Sequence, residues 1–231
     1  MLLHAQLKKA KTQGGFTLIE LLVVIGILAI LLAITLIAIN PNKHFQSSRN
    51  AQRSSDVSAV LDAVYEYESG HNGNVPPSLA NVSTTAVPLS SAATGVTATG
   101  TTFSSPDLTF TVPSGNTITS GAVAVTGCDQ AADNGYFPVT SGTDTTIVVT
   151  NDGASATSAS GCSVAAQTAN ICADVVPDYL AALPMDPGAS SGTQCSTTYD
   201  TGYTISKSTD SNRFTVAAPA AEGGETISVT R

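Results

Sequence analysis

The sequence of 231 residues contains no tryptophan, and only 5% of its residues are aromatic and 11% charged. An average soluble domain has about 25% charged residues, so this composition predicts a secreted type of surface rich in small neutral residues. Basic residues are few: nine lysines and arginines stand against 17 aspartates and glutamates, which leaves a net charge of −8. Binding to nucleic acid phosphates needs a basic face. The composition therefore argues against a nucleic acid partner.

One stretch of the chain carries most of its hydrophobicity. From Phe16 to Ile39 every residue is apolar or small except Thr17, Glu20 and Thr35. At about 1.5 Å per residue, a helix of roughly 24 residues is about 36 Å long and can cross a hydrocarbon core about 30 Å thick. Residues 40–231 contain no second run of this kind. The sequence predicts a single membrane span followed by a large ectodomain.

The residues that precede the apolar run predict its orientation. Residues 1–15 contain Lys8, Lys9 and Lys11 and no acidic residue, which favours a cytoplasmic amino end and an external ectodomain. A cleaved secretory signal is the alternative, but its apolar region is usually about 7–15 residues long and is followed by small residues. Here the run is longer, and the small pair Gly14-Gly15 lies before it. The pattern favours a helix that is retained.

The start of the run resembles the processing and assembly motif of type IV pilins and the related pseudopilins. It reads GFTLIELLVVI from Gly15 to Ile25. The resemblance implies that a prepilin peptidase cleaves between Gly15 and Phe16 and that Phe16 is then N-methylated. It also implies membrane lipid around the helix before assembly, pilus assembly machinery in the membrane, and identical subunits around the helix in a filament.

Glu20 is the acidic residue of the apolar run. A charged side chain at the bilayer centre costs about 2.5–3.5 kcal/mol, so such residues usually have a partner and a function. A glutamate near enough to the membrane surface to stay hydrated is the alternative. The resemblance implies that Glu20 pairs with the α-amino group of Phe16 in a neighbouring subunit. Because an unpaired buried charge is penalised, that pair would fix the axial register of the subunits.

A second helix is predicted beyond the span. Pro41 removes a backbone donor and disfavours helical backbone at Asn40, so we expect a break there. The resemblance to pilins implies that the break lets the subunit stretch as it packs into the filament. A simple boundary between span and ectodomain is the alternative. Apolar residues then recur with helical period and predict an amphipathic helix over Gln46–Ser69. Its apolar face contains Val57, Val60, Leu61 and Val64, and its opposite, polar face contains Arg49, Arg53, Asp56, Asp62 and Glu66.

From about Val75 the sequence is rich in Thr, Ser, Ala, Gly and Val, and short alternating runs predict antiparallel strands. These runs are at 108–112, 123–125, 147–149, 203–205, 214–216 and 227–229. A hairpin loop is predicted at Ser206–Arg213, and two prolines predict a short helix over Val176–Leu183. The stretches around 83–102 and 153–161 have weak patterns.

The expected fold class is α+β: a long N-terminal helix, membrane-spanning in its first half, packed on an antiparallel β-sheet head. We expect four segments along the chain. They are a leader peptide (1–15), a transmembrane and assembly helix (16–39), the exposed half of the helix with the following turn (40–74), and a β-rich head (75–231).

All four cysteines lie in the part predicted to be external. An even number of cysteines in an oxidising compartment predicts two disulfides, with three possible connectivities. Free thiols and metal ligation are the alternatives, and metal is disfavoured because no Cys-x-x-Cys pair is present. Closeness in sequence favours the pairs Cys128–Cys162 and Cys172–Cys195.

Two other motifs are weak. Residues 188–192 match the G-x-S-x-G elbow of hydrolases, but they follow Asp186-Pro187 in a loop and no histidine follows them. Asp129, Asp133 and Asn134, or Asp186 with Asp200, could offer oxygen ligands to calcium, but without the spacing of a known calcium loop. We predict no enzyme activity, no metal site and no cofactor.

The functional prediction is a structural subunit of an extracellular type IV pilus-like filament. It would lie in the cytoplasmic membrane before assembly and at the cell surface afterwards. A pseudopilin of a type II secretion-like system and a minor tip pilin that acts as an adhesin are the alternatives within the family. A membrane-tethered enzyme is the alternative outside it, and it would need a convergent set of titratable groups that the sequence does not reveal.

Overall fold

A computed structural model of the chain describes residues 15–91, 93, 95–104, 106–154, 160–189, 195, 198–209, 211 and 213–231. The predicted leader, apart from Gly15, lies outside the described residues. The chain divides into two compact units, Met1–Phe45 and Gln46–Arg231.

The first unit contains helix α1 (Leu18–Ile39) and the first turn of helix α2 (Pro41–Gly70). Among the described residues, one helical stretch is long and apolar enough to cross a membrane, Leu18–Leu36, and its side chains are exposed. Asn40 ends α1 in the left-handed conformation, with φ 44° and ψ 75°, which asparagine tolerates better than most residues. Pro41 then occupies the first position of α2, where its fixed φ suits the helix. The predicted break at Asn40-Pro41 is confirmed.

The second unit is mainly β-structure. Its described residues form the strands β1 (Val87–Ser90), β2 (Val96–Thr97), β3 (Gly100–Ser104), β4 (Asp107–Thr111), β5 (Ala122–Thr126), β6 (Gly135–Gly142), β7 (Thr146–Thr150), β8 (Ser163–Ala166), β9 (Asp200–Lys207), β10 (Phe214–Ala218) and β11 (Ile227–Thr230). A short helix, α3 (Cys172–Val175), lies between β8 and β9.

The main core of the head lies between α2 and a four-stranded antiparallel sheet of order β1-β9-β10-β11. The predicted apolar face of α2 is buried there together with alternating residues of β9 and β10, among them Tyr203, Ile205, Phe214 and Val216. Apolar residues recur about every 3.6 positions on the helix and every two positions on the strands, so the apolar side chains of both elements face the same layer. The α+β class and the pilin-like packing of helix on antiparallel sheet are confirmed.

A second β-structure is inserted between β1 and β9, in a sheet of order β2-β8-β5-β6-β7-β4-β3. Its two end strands, β2 and β3, are separated in the chain by only Ala98 and Thr99. At opposite ends of the sheet, β2 pairs with β8 and β3 pairs with β4. Between them, the Ala98 N–H donates to the Cys162 carbonyl at 2.8 Å and the Thr99 N–H to the Thr111 carbonyl at 2.7 Å. The sheet is thereby closed into a small barrel, which protects its edges.

This inserted barrel, residues 96–166, has its own core. The core contains Leu108, Phe110, Val123, Val125, Ile147, Val149 and Val164. The six alternating runs of the sequence are all strands in the structure. The closing strands β2, β3 and β8 were not predicted, because they consist mostly of Thr, Ser, Gly and Ala.

The predicted helix over Val176–Leu183 is wrong. The helix is α3, which ends at Val175, and Val176 is extended with φ −109° and ψ 132°. Pro177 accounts for the difference, because a residue before proline is driven from the helical to the extended region. The predicted hairpin loop is found between β9 and β10, where the Ser208 N–H donates to the Arg213 carbonyl at 2.8 Å.

Candidate assembly site

The start of α1 is closed by a capping box. Thr17 is the N-cap, and its hydroxyl accepts a hydrogen bond from the Glu20 N–H at 3.3 Å. In return, the Thr17 N–H and hydroxyl each donate to Glu20 Oε2 at 2.8 Å. This reciprocal arrangement satisfies backbone donors that the first helical turn leaves without partners. The Thr-x-x-Glu spacing that signals such a box was present in the sequence and was overlooked there.

The capping box fixes the position of the Glu20 carboxylate. Both hydrogen bonds from Thr17 end on Oε2, and no described residue donates to Oε1. The side chains of Ile19, Val23 and Val24 beside Glu20 are exposed. The carboxylate therefore has one oxygen without a donor among the described residues, and exposed apolar side chains surround it.

The Gly15–Phe16 bond precedes the helix, and 90% of Phe16 is exposed. A Cβ atom added to Gly15 would meet no described atom within 4 Å, and the same is true of Gly26 in the middle of α1. The fold of the described residues thus gives no steric reason for glycine at either position.

In the head, a buried cluster of charged residues joins α2 to the C-terminal loops. The Arg53 Nε donates to Asp186 Oδ2 at 2.6 Å and Nη2 donates to Asp186 Oδ1 at 3.0 Å, and both side chains are only 2% exposed. The Arg53 Nη1 donates to Asn50 Oδ1 at 2.9 Å and to Glu222 Oε1 at 3.1 Å. Arg53, which the helical period assigns to the polar face of α2, is nevertheless buried, and these acceptors compensate for its removal from water.

The cluster perturbs its titratable groups in consistent directions. The hydrogen bonds that Arg53 donates to Asp186 raise the pKa of Arg53 despite its burial. Burial alone would raise the pKa of Asp186, but hydrogen bonds from Arg53 and from the Gly188 N–H outweigh it and lower the pKa. The Arg49 guanidinium, hydrogen-bonded to Glu222, lowers the pKa of that carboxyl to about 2. All these groups are held in their charged forms at neutral pH.

The candidate calcium ligands are used in other ways. Asp186 is engaged by Arg53 and by Gly188, and the Asp129 carboxylate accepts from the Ser160 N–H and hydroxyl at 2.8 and 2.9 Å. The Asn134 side chain holds its own loop by accepting from the Cys128 N–H at 2.9 Å. No group of three or more potential ligands converges in the part of the chain that the structure describes.

Two disulfides join Cys128 to Cys162 and Cys172 to Cys195, with Cα–Cα distances of 4.2 and 5.5 Å. These are the pairs that closeness in sequence favours. The first bridge lies in the inserted barrel and the second connects α3 to the segment before β9, so each core of the head contains one.

In the hydrolase-like segment 188–192, residues 190–192 lie outside the described residues, and Gly188 belongs to a turn after Asp186.

Comparison with known proteins identifies the amino end of the chain. A family model described as the prokaryotic N-terminal methylation motif matches residues 10–36, which include Gly15, Phe16 and Glu20. No curated protein and no solved structure matches the chain. The chain thus carries, on an α+β pilin-like fold, the prepilin signature of the type IV pilins and pseudopilins, a family of structural proteins.

Proposed function

We propose that this chain is a structural subunit of an extracellular type IV pilus-like filament. The observation that carries the proposal is the matched N-terminal motif on a helix whose apolar side chains are exposed from Leu18 to Leu36. An apolar surface of this extent needs a partner. Lipid provides it before assembly and the helices of identical subunits provide it afterwards.

Processing comes first in this proposal. A prepilin peptidase cuts between Gly15 and Phe16, and Phe16 is N-methylated, which leaves residues 16–231. The exposure of Gly15 and Phe16 before α1 supports this step, because a peptidase needs access to the bond. The open space around a Cβ at Gly15 is consistent with it too, since among the described residues no neighbour requires glycine there.

Assembly depends on Glu20. Cleavage creates a new α-amino group on Phe16, and we infer that the Glu20 carboxylate of a neighbouring subunit receives it. Oε1 offers the acceptor, while Thr17 holds Oε2 in place. In an apolar helix bundle, a subunit docked in another register would leave the carboxylate without its cation. The charge pair specifies register, and the apolar side chains provide contact area.

The remaining parts of the chain fit this scheme. Lys8, Lys9 and Lys11 place the amino end in the cytoplasm, next to the assembly machinery, and the head outside. We propose the segments 1–15 as leader, 16–39 as transmembrane and assembly helix, 40–74 as the exposed helical half with its turn, and 75–231 as head. The inserted barrel makes the head larger than a minimal helix-and-sheet unit. That addition favours a pilus subunit over a pseudopilin.

The test is to shear surface filaments from native cells and to determine their subunit and its first residue by mass spectrometry. We expect a chain that begins at methylated Phe16. A Gly15→Val variant should remain uncleaved and membrane-bound, whereas Gly26→Ala, at a position equally free of neighbours, should be cleaved. Filaments that lack this chain, or a wild-type chain that keeps Met1, would contradict the proposal.

A further inference from the structure

The residues that link the apolar helix to the head form a short exposed segment. In this juxtamembrane segment, residues 41–45, all side chains are exposed, and Phe45 is 61% exposed. The Lys43 ammonium and the His44 imidazole make no hydrogen bond or ion pair with the residues that the structure describes. Lys43 and Phe45 thus both lie exposed in the first turns of α2, on different sides of the helix, and the Lys43 ammonium has no ion-pair partner among the described residues.

We propose that the juxtamembrane segment anchors the unassembled subunit in the headgroup layer of the outer leaflet. The Lys43 ammonium is attracted by lipids of net negative charge, and the Phe45 ring lies at the boundary between headgroups and hydrocarbon. The inference rests on the proposed function, because it requires α1 to span a membrane with the head outside.

The position of the segment along the chain supports a lipid partner. The apolar helix ends at Ile39, and Lys43 and Phe45 follow four and six residues later, in the first turns of α2 after the break at Asn40. So short a separation keeps both side chains next to the end of the span, where a headgroup layer about 5–8 Å thick begins. Aromatic and cationic side chains are the types that concentrate at this level.

The charge distribution limits contact with anionic lipid to this segment. The head, residues 46–231, contains five basic and 16 acidic residues. Three of the five basic side chains are already paired, Arg49 with Glu222, Arg53 with Asp186 and Arg231 with Asp62. An anionic membrane surface repels the head and attracts Lys43. Because the acidic head is repelled by an anionic membrane, the juxtamembrane segment is the part of the ectodomain that contacts the lipid headgroups.

The absence of tryptophan from the chain makes a direct test possible. In a full-length Phe45→Trp variant, the new residue is the sole tryptophan. The protein is reconstituted in vesicles of phosphatidylcholine with a minority of phosphatidylglycerol, with and without bromine atoms in the upper part of the acyl chains. We expect blue-shifted emission that the bromine atoms quench. Adding Lys43→Gln should weaken the quenching in vesicles with phosphatidylglycerol and leave it unchanged in pure phosphatidylcholine.

A matched control is Tyr136→Trp, because Tyr136 is an aromatic residue of the inserted barrel that is 50% exposed. Its emission should be that of tryptophan in water, without quenching. Flotation of the same vesicles reports whether α1 is inserted.

The outcomes separate the two proposals. Water-like, unquenched emission from Phe45→Trp in vesicles that float overturns the anchor and leaves the filament function intact. Emission that is blue-shifted but insensitive to bromine, and that rises with the protein-to-lipid ratio, assigns Phe45 to a second copy of the chain and also overturns the anchor. Protein that does not float with the vesicles overturns the anchor together with the membrane stage of the proposed function.

Discussion

The buried pair of Arg53 and Asp186 allows a quantitative test of how the head is fixed to α2. We consider Asp186→Asn, which keeps the shape of the side chain and removes its charge. The amide oxygen of the variant can still accept from Arg53, but its amide nitrogen cannot, so at least one of the hydrogen bonds at 2.6 and 3.0 Å is lost and Glu222 remains the anionic partner of Arg53. Because both side chains are 2% exposed, water cannot replace the lost partner.

Removing one member of a buried ion pair typically costs about 3–5 kcal/mol. We expect a loss near the lower end of that range for Asp186→Asn, since Glu222 still neutralises part of the Arg53 charge. Arg53→Met should cost a similar amount. The double variant should cost clearly less than the sum of the two, because neither residue is then left as an unpaired buried charge.

Urea unfolding of the detergent-solubilised chain, followed by near-ultraviolet circular dichroism of its tyrosines, measures these free energies. The exposed pair of Asp62 with Arg231 is the control, because its side chains are 56% and 53% exposed. Asp62→Asn should change the unfolding free energy by less than about 1 kcal/mol. An Asp186→Asn variant as stable as Asp62→Asn, or additive losses in the double variant, would refute the assignment of a coupled buried pair.

Three further predictions concern assembly and pH. Glu20→Ala should leave membrane insertion and leader cleavage intact and abolish or greatly reduce filaments, and normal filament numbers in electron micrographs would contradict the proposed pairing. The pKa values of Asp186 and Glu222 are lowered in the folded state, to about 2 for Glu222. Their stabilising contribution is therefore present above the unfolded values of about 4 and is lost as the pH falls toward about 2. The unfolding free energy from urea titration should therefore fall over that window, and a constant free energy would contradict the assignment. Burial raises the pKa of Glu68, and its Oε1 has no partner among the described residues. Ionised Glu68 therefore destabilises the fold, and Glu68→Gln should raise the unfolding midpoint at neutral pH but not at acid pH, where the glutamate is already protonated; an equal effect at both pH values would rule out this explanation.

Sequence patterns predicted the elements whose burial is strongly periodic. Val57, Val60, Leu61 and Val64 define α2 because they bury one face of a helix, and the strand around Phe214 is defined in the same way by its two-residue period. Pro41 alone was sufficient to predict the break between α1 and α2. These features depend on local rules, which a single sequence contains.

The features that sequence patterns missed depend on distant partners. Arg53 has the spacing of an exposed helical residue, and only the return of the chain at Asp186, 133 residues later, makes it a buried one. The barrel closes through Ala98 and Thr99, small and polar residues whose strand identity comes from pairing with Cys162 and Thr111. The capping box of Thr17 and Glu20 was a local signal that the functional interpretation of Glu20 obscured.

The head and the apolar helix differ in the number and sign of their charged residues. The head carries five basic and 16 acidic residues, so heads of neighbouring subunits repel one another. Residues 16–39 contain one charged side chain, that of Glu20. In the proposed filament, association would come from apolar contact along α1, and its register from the pairing of that carboxylate with the α-amino group of Phe16. A second charged side chain on α1 would blur the register, and a basic face on the head would allow contacts that compete with the helix. The scarcity of charge in α1 and of basic residues in the head is thus what the proposed assembly through α1 alone requires.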